Sequence, residues 1–137
     1  MLEQDLRQRI DTIERAYEYF LAYAAQGLTT TSAVDKDGEA RRHLERGVAS
    51  LDGLTALFRE VVAERADRDA FEAFFEALER DATATRAAFS IVLAQRSISS
   101  QLVDNLNASL QVRALLTDLF LLDEALQPMG EGPSPSS

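Results

Sequence analysis

Between Phe71 and Val92 the chain sets an apolar or small residue at alternating intervals of four and three: Phe71, Phe75, Leu78, Ala82, Thr85, Phe89 and Val92. An unbroken alternation of this kind keeps every member on one side of an α-helix, as in a coiled-coil seam. It predicts a helix from about Arg68 to Gln95 and allows very few folds. Three other segments also set their apolar residues on a helical stripe, with less regular intervals. Leu2, Leu6, Ile10, Ile13, Tyr17, Phe20 and Ala24 mark a helix from Leu2 to Gln26. Leu44, Val48, Leu51, Phe58, Val61 and Val62 mark one from Asp37 to Glu64, and Leu102, Leu106, Leu110, Leu115, Leu119, Leu122 and Leu126 one from Ser99 to Gln127.

Helices of this length run roughly 40 Å at 1.5 Å per residue, and each must bury its stripe against the others. No window joins β-branched enrichment to period two, so no sheet is expected. The links at 66–69 and 96–99 are short, which forces antiparallel neighbours. The expected fold is therefore all-α, an up-down-up-down antiparallel four-helix bundle. A single domain is expected over 1–127, with 128–137 (PMGEGPSPSS) as a disordered tail beginning where Pro128 stops the last helix.

Local signals refine the boundaries. Gly27 suits the position after a helix C-terminus, and Leu28 to Gly38, rich in Thr, Ser, Asp and Gly, reads as a loop. Gly47 and Gly53 weaken the second helix, and Ser50 or Asp52 can cap a fresh start, so a kink is expected near Gly53. Asp67 or Asp69 caps the third helix and Ser97 or Ser99 the fourth.

Charge and composition remove several functions. There are 14 basic against 23 acidic side chains, a net charge of -9, which opposes both nucleic acid and anionic membrane surfaces. The N-terminal residues lack the apolar stretch of a signal peptide, and a cytoplasmic protein is expected. With no cysteine and one histidine, disulfides, thiolate metal sites and a di-metal bundle centre of the Glu-x-x-His type are ruled out, so no metal or cofactor is expected. No phosphate-binding glycine loop or serine triad is present, and a non-catalytic role is the leading expectation.

The apolar pattern is wider than a monomer needs. Leu115, Leu116, Leu119, Phe120, Leu121 and Leu122 cover most of the circumference of the last helix. On the first helix Tyr17, Tyr19, Phe20 and Tyr23 also exceed one stripe. Tyrosine suits an interface because its ring packs while its hydroxyl stays wet. Tyr19, Tyr23, Leu116, Phe120 and Leu121 are thus the expected partner-facing residues, with Arg113 and Asp118 as charges able to orient a partner. Asn105, one turn before Ser109, is a candidate for fixing register in a seam. The expected role is a scaffold or adaptor that binds another protein and pairs as a homodimer. The small residues Ala82 and Thr85 suggest a third role, a bundle with a cavity for a small molecule.

One motif suggests chemistry. In RRHLERGVASLDGLTAL, His43 is followed by Arg46, by Gly47 one helical turn on, and by Ala49 and Gly53. This resembles the phosphoacceptor helix of histidine-phosphotransfer (HPt) domains. The resemblance implies a phosphorelay intermediate that takes a phosphoryl group from a receiver domain. His43 would be the acceptor, Arg46 the partner of the phosphoryl charge, and Gly47 the clearance for the receiver. The stripe Ala40, Leu44, Val48 and Leu51 places His43 at the edge of the core.

Overall fold

The seven positions of the third stripe, Phe71 through Val92, are all buried in a computed structural model of the chain that describes residues 1–34 and 36–127. Regular structure among the described residues is entirely helical: α1 (Leu2–Ala25), α2 (Thr30–Ala33), α3 (Gly38–Leu51), α4 (Leu54–Val62), α5 (Arg68–Leu93), α6 (Ser100–Ala108) and α7 (Leu110–Ala125). The expected tail, 128–137, lies outside the described residues. No described helix is long and apolar enough to cross a membrane.

Two of the four expected helices are broken. Gly53 sits at φ +70°, the left-handed region open to glycine, and Asp52 before it is extended. The kink expected there is a full break between α3 and α4. The second break was not expected. Ser109 is extended at ψ 143°, closing α6 and opening α7, and its hydroxyl donates to the carbonyl of Leu106 at 2.8 Å. A serine bonding back to its own helix competes with helix continuation. Beyond this break Leu110 is 79% exposed, outside the stripe expected for it.

The loop after α1 also holds a turn of helix. Thr29 accepts from the Ser32 amide at 3.1 Å, and the Ser32 hydroxyl accepts from the Thr29 amide at 2.8 Å, a reciprocal cap for α2. The other capping signals are met in part: Gly53, not Ser50 or Asp52, precedes α4, and Asp67 makes no side-chain cap bond. Gly27 has φ +69°, Asp67 precedes α5, and Ser99 accepts from the Leu102 amide at 3.1 Å.

The long helices pack side by side: α1 on α3, α4 and α6, and α5 on α3, α4 and α7. α1 and α3 run in opposite directions, as do α5 and α7. Tyr19 lies on His43 while Arg9 reaches the Asp52 carbonyl at 2.6 Å. Across α5 and α7, the Thr85 hydroxyl donates to the Gln111 carbonyl at 3.0 Å, and Phe74 adjoins Leu121 further along. One end is tied by polar groups. The buried Asp37 carboxylate accepts from the Ile98 amide at 3.0 Å and from Arg41 at 3.2 Å. Arg41 also donates to the carbonyls of Leu93, Gln95 and Arg96 at 3.0, 2.6 and 3.0 Å. At the other end Arg7 of α1 pairs with Asp123 of α7.

Candidate functional site

The residues picked out by sequence fall into two separate places. Around His43, α3 lies against α1, and the Tyr19 ring stacks on the imidazole with centroids 4.3 Å apart and planes 19° from parallel. Phe20 meets the same imidazole edge-on at 6.4 Å. The His43 side chain keeps 19% of its surface, and its Nε2 lies 4.0 Å from a Glu39 carboxylate oxygen. Burial pushes the imidazole below its ordinary value; Arg46 and Arg42 add to this and Glu39 opposes it. Arg46 is exposed one turn away.

Gly47 does not serve as clearance for an approaching protein. It is buried, and a β-carbon there would lie 2.7 Å from Cε2 of Phe89 on α5. The missing side chain lets α3 and α5 close on each other. Four residues after His43 the helix has turned this position inward, and the spacing alone does not tell an outward glycine from an inward one.

Three of the expected partner residues remain partly or fully open. Phe120 is 58% exposed, Leu121 is 56% exposed, and Tyr19 is half-buried. Two are corrected. Tyr23 is buried in the core, where its hydroxyl donates to the carbonyl of Ile98 at 2.6 Å. Leu116 is buried with Leu115, Leu119 and Leu122. Tyr23 replaces Ala24 in the α1 stripe because Ile98 supplies the acceptor that a buried phenol needs.

The register residue is also different. Asn105 is exposed and bonds to Gln101, whereas Asn107 is buried and donates to the Phe20 carbonyl at 3.2 Å. Ala82 and Thr85 are buried, and the Thr85 hydroxyl bonds across to α7 as described above. The clefts lie elsewhere. One of about 360 Å³ opens between α1, α4 and α7 beside Leu6, Arg7, Ile10, Arg65 and Asp123. Another, of about 340 Å³, is an apolar groove between α5 and α7 beside Phe71, Phe74, Leu121 and Leu122.

Sequence reasoning missed a pair of carboxylates. Asp118, read as a charge able to orient a partner, is only 8% exposed on the side of α7 that meets α5. Its Oδ2 is buried without a hydrogen-bond partner. Burial, and then the neighbouring Asp81 carboxyl, push Asp118 up to about 7, with Arg80 pulling the other way. Two such acids are stable side by side when they share one proton. Their positions, 37 residues apart on different helices, gave no sequence signal.

Among the described residues no three His, Cys, Asp or Glu side chains gather to hold a metal ion. No protein-family model matches the chain, and no curated protein or solved structure matches it.

Proposed function

We propose that the chain is a non-catalytic interaction scaffold, an up-down-up-down four-helix bundle that presents apolar side chains of its last helix to another protein and to a second copy of itself. The bundle reading draws on the antiparallel neighbours α1, α3–α4, α5 and α6–α7, with each broken helix counted as one rod. The interaction reading rests on one observation: Phe120 and Leu121 stand 58% and 56% exposed on a helix whose other leucines are nearly all buried. Large apolar groups grouped on a surface are more often covered than left wet.

Sedimentation velocity over a range of concentrations tests this. The parent chain is expected to exceed its 15.1 kDa monomer mass. Phe120→Glu/Leu121→Glu is expected to remain monomeric with unchanged helix content by circular dichroism. A parent that keeps monomer mass at every concentration removes self-association from the reading.

A second reading, phosphoryl transfer through His43, is favoured by the partial exposure of the imidazole and by Arg42 and Arg46 beside it. The Tyr19 ring lying flat on the imidazole and the burial of Gly47 count against it. Incubation with a phosphorylated receiver domain, with and without His43→Gln, tests it: histidine-dependent uptake of label supports transfer, and its absence removes the reading.

A further inference from the structure

Each core position of α5 is preceded by a residue of a second seam with the same spacing. Its members are Ala70, Phe74, Ala77 and Asp81, then Ala84, Ala88 and Ile91. All are exposed or half-buried, and Asp81 is the single charged one. The opposite flank of α5 carries Glu72, Glu76, Glu79 and Arg86. Beside this seam Leu121 of α7 lines a groove with Phe74, and Leu110, Ala114 and Thr117 share its helical stripe, with exposed Arg80 and Arg113 at the edges. The result is a face almost free of charge on a chain of net charge -9. That is where two such chains meet with least repulsion.

The order of sizes along the seam is self-complementary. Turned end for end about a two-fold axis at Asp81, α5 of one copy sets Phe74 opposite Ala88 of the other. Ile91 falls opposite Ala70, and Ala77 opposite Ala84. Large meets small at both ends and small meets small near the axis, which is what an isologous helix contact requires. From Ala70 to Ile91 the seam is about 32 Å long at 1.5 Å per residue. With the adjoining strip of α7, about 20 Å wide in all, it offers ~600 Å² per copy, so ~1,200 Å² in the pair, above the ~1,000 Å² of a specific interface.

We infer that the α5–α7 face seats a second copy of this chain in antiparallel register, and that the Asp81–Asp118 carboxyl pair makes this docking proton-dependent. The inference rests on the self-association proposed above and names its surface and its control. Asp81 would lie opposite its own symmetry mate, so an ionised pair in each copy brings like charges together in a desolvated place. A proton held by each pair takes its charge from −2 to −1 and so weakens that repulsion. The other charges around the pair are few. Arg80 on α5 acts on Asp118, Arg113 and Asp123 stand five residues to either side on α7, and Asp104 of α6 is exposed. On the far side of α5, Arg59 of α4 is held by Glu72, and Asp52 next to α3 by Arg86. Arg46 and Glu45 of α3 and Glu60 of α4 are exposed.

The absence of cysteine gives a clean test. In Ala77→Cys/Ala84→Cys the two thiols are two helical turns apart, about 10 Å, too far to pair within one chain, so any disulfide joins two copies. The expected result is a covalent dimer on mild oxidation, while the control Glu72→Cys/Glu79→Cys on the charged flank stays monomeric. In sedimentation the parent is expected to associate about tenfold more tightly at pH 5.5 than at pH 8, and Asp81→Asn is expected to abolish that difference. If the parent dimerises but the 77/84 pair does not cross-link, this face is wrong and self-association stands. Cross-linking with no pH dependence overturns the proton control alone. A parent that is monomeric at both pH values overturns this inference and self-association together.

Discussion

A β-carbon at Gly47 would lie 2.7 Å from Cε2 and 3.0 Å from Cδ2 of Phe89, so the closeness of α3 to α5 depends on the absence of a side chain there. In an open helix Gly→Ala gains about 1 kcal/mol of helix propensity. Here the ring must move, and overpacking costs roughly 1–3 kcal/mol. Gly47→Ala is therefore expected to lower unfolding stability by about 1 kcal/mol in urea titration. Adding Phe89→Leu is expected to recover part of that loss. A more stable Gly47→Ala protein would mean that the ring is free to swing aside.

The buried acid pair gives stability a sign with pH. Asp118 titrates at about 7 in the folded chain against 3.8 as a free carboxyl. Below 3.8 it is protonated in both states. As pH rises towards 7 the unfolded chain ionises first and binds fewer protons than the folded one. Stability therefore falls with rising pH across this window. Asp118→Asn is expected to remove the decline and to raise stability at pH 7 by on the order of 2 kcal/mol relative to the parent. His43, whose value is lowered, acts in the opposite sense, its contribution being lost as pH falls through 6.5. Comparing the variant with the parent at each pH cancels the histidine. Identical pH profiles would show that Asp118 titrates alike in the folded and unfolded chain.

The hydroxyl of Tyr23 is a separable part of the core. It donates to the Ile98 carbonyl at 2.6 Å where neither group meets water, and Ser100 donates to the Tyr23 carbonyl at 2.7 Å beside it. Tyr23→Phe keeps the ring and strands an acceptor. The expected cost is about 1–2 kcal/mol by thermal or urea unfolding, with unchanged helix content. No change would mean that the backbone carbonyl finds another donor.

What could be read in advance follows from the range of each interaction. The α5 stripe was legible because burial on a helix repeats every three or four residues, and all seven of its positions are in the core. The break at Gly53 was legible as a weakness because glycine alone enters the left-handed region cheaply. The break at Ser109 was not, since serines are common both inside helices and at their ends. Tyr23, Asp118 and Gly47 were misread for a shared reason: each owes its place to a residue on another helix (Ile98, Asp81 and Phe89 respectively). A stripe shows which side of a helix is buried, but not what stands opposite. Reading α5 one residue earlier would have exposed its second seam, because that seam lies in the sequence itself.

Among the described residues Arg41 and Asp37 form the most connected polar group, and it can be dismantled one bond at a time. The Asp37 carboxylate holds the Ile98 amide and the Arg41 guanidinium, while that guanidinium covers the carbonyls of Leu93, Gln95 and Arg96 past the end of α5. A cation there answers the partial negative charge of a helix C-terminus. Arg41→Lys keeps the charge but cannot span three carbonyls, so it is expected to lose about 1 kcal/mol, and Arg41→Ala about 2 kcal/mol. Asp37→Ala also strands the buried Ile98 amide and is expected to lose at least as much as Arg41→Ala. Since both residues act on the same turn between α5 and α6, the double variant should lose less than the sum of the two, by roughly 1 kcal/mol. Strict additivity in urea unfolding would show that the two side chains act independently, despite the bond between them.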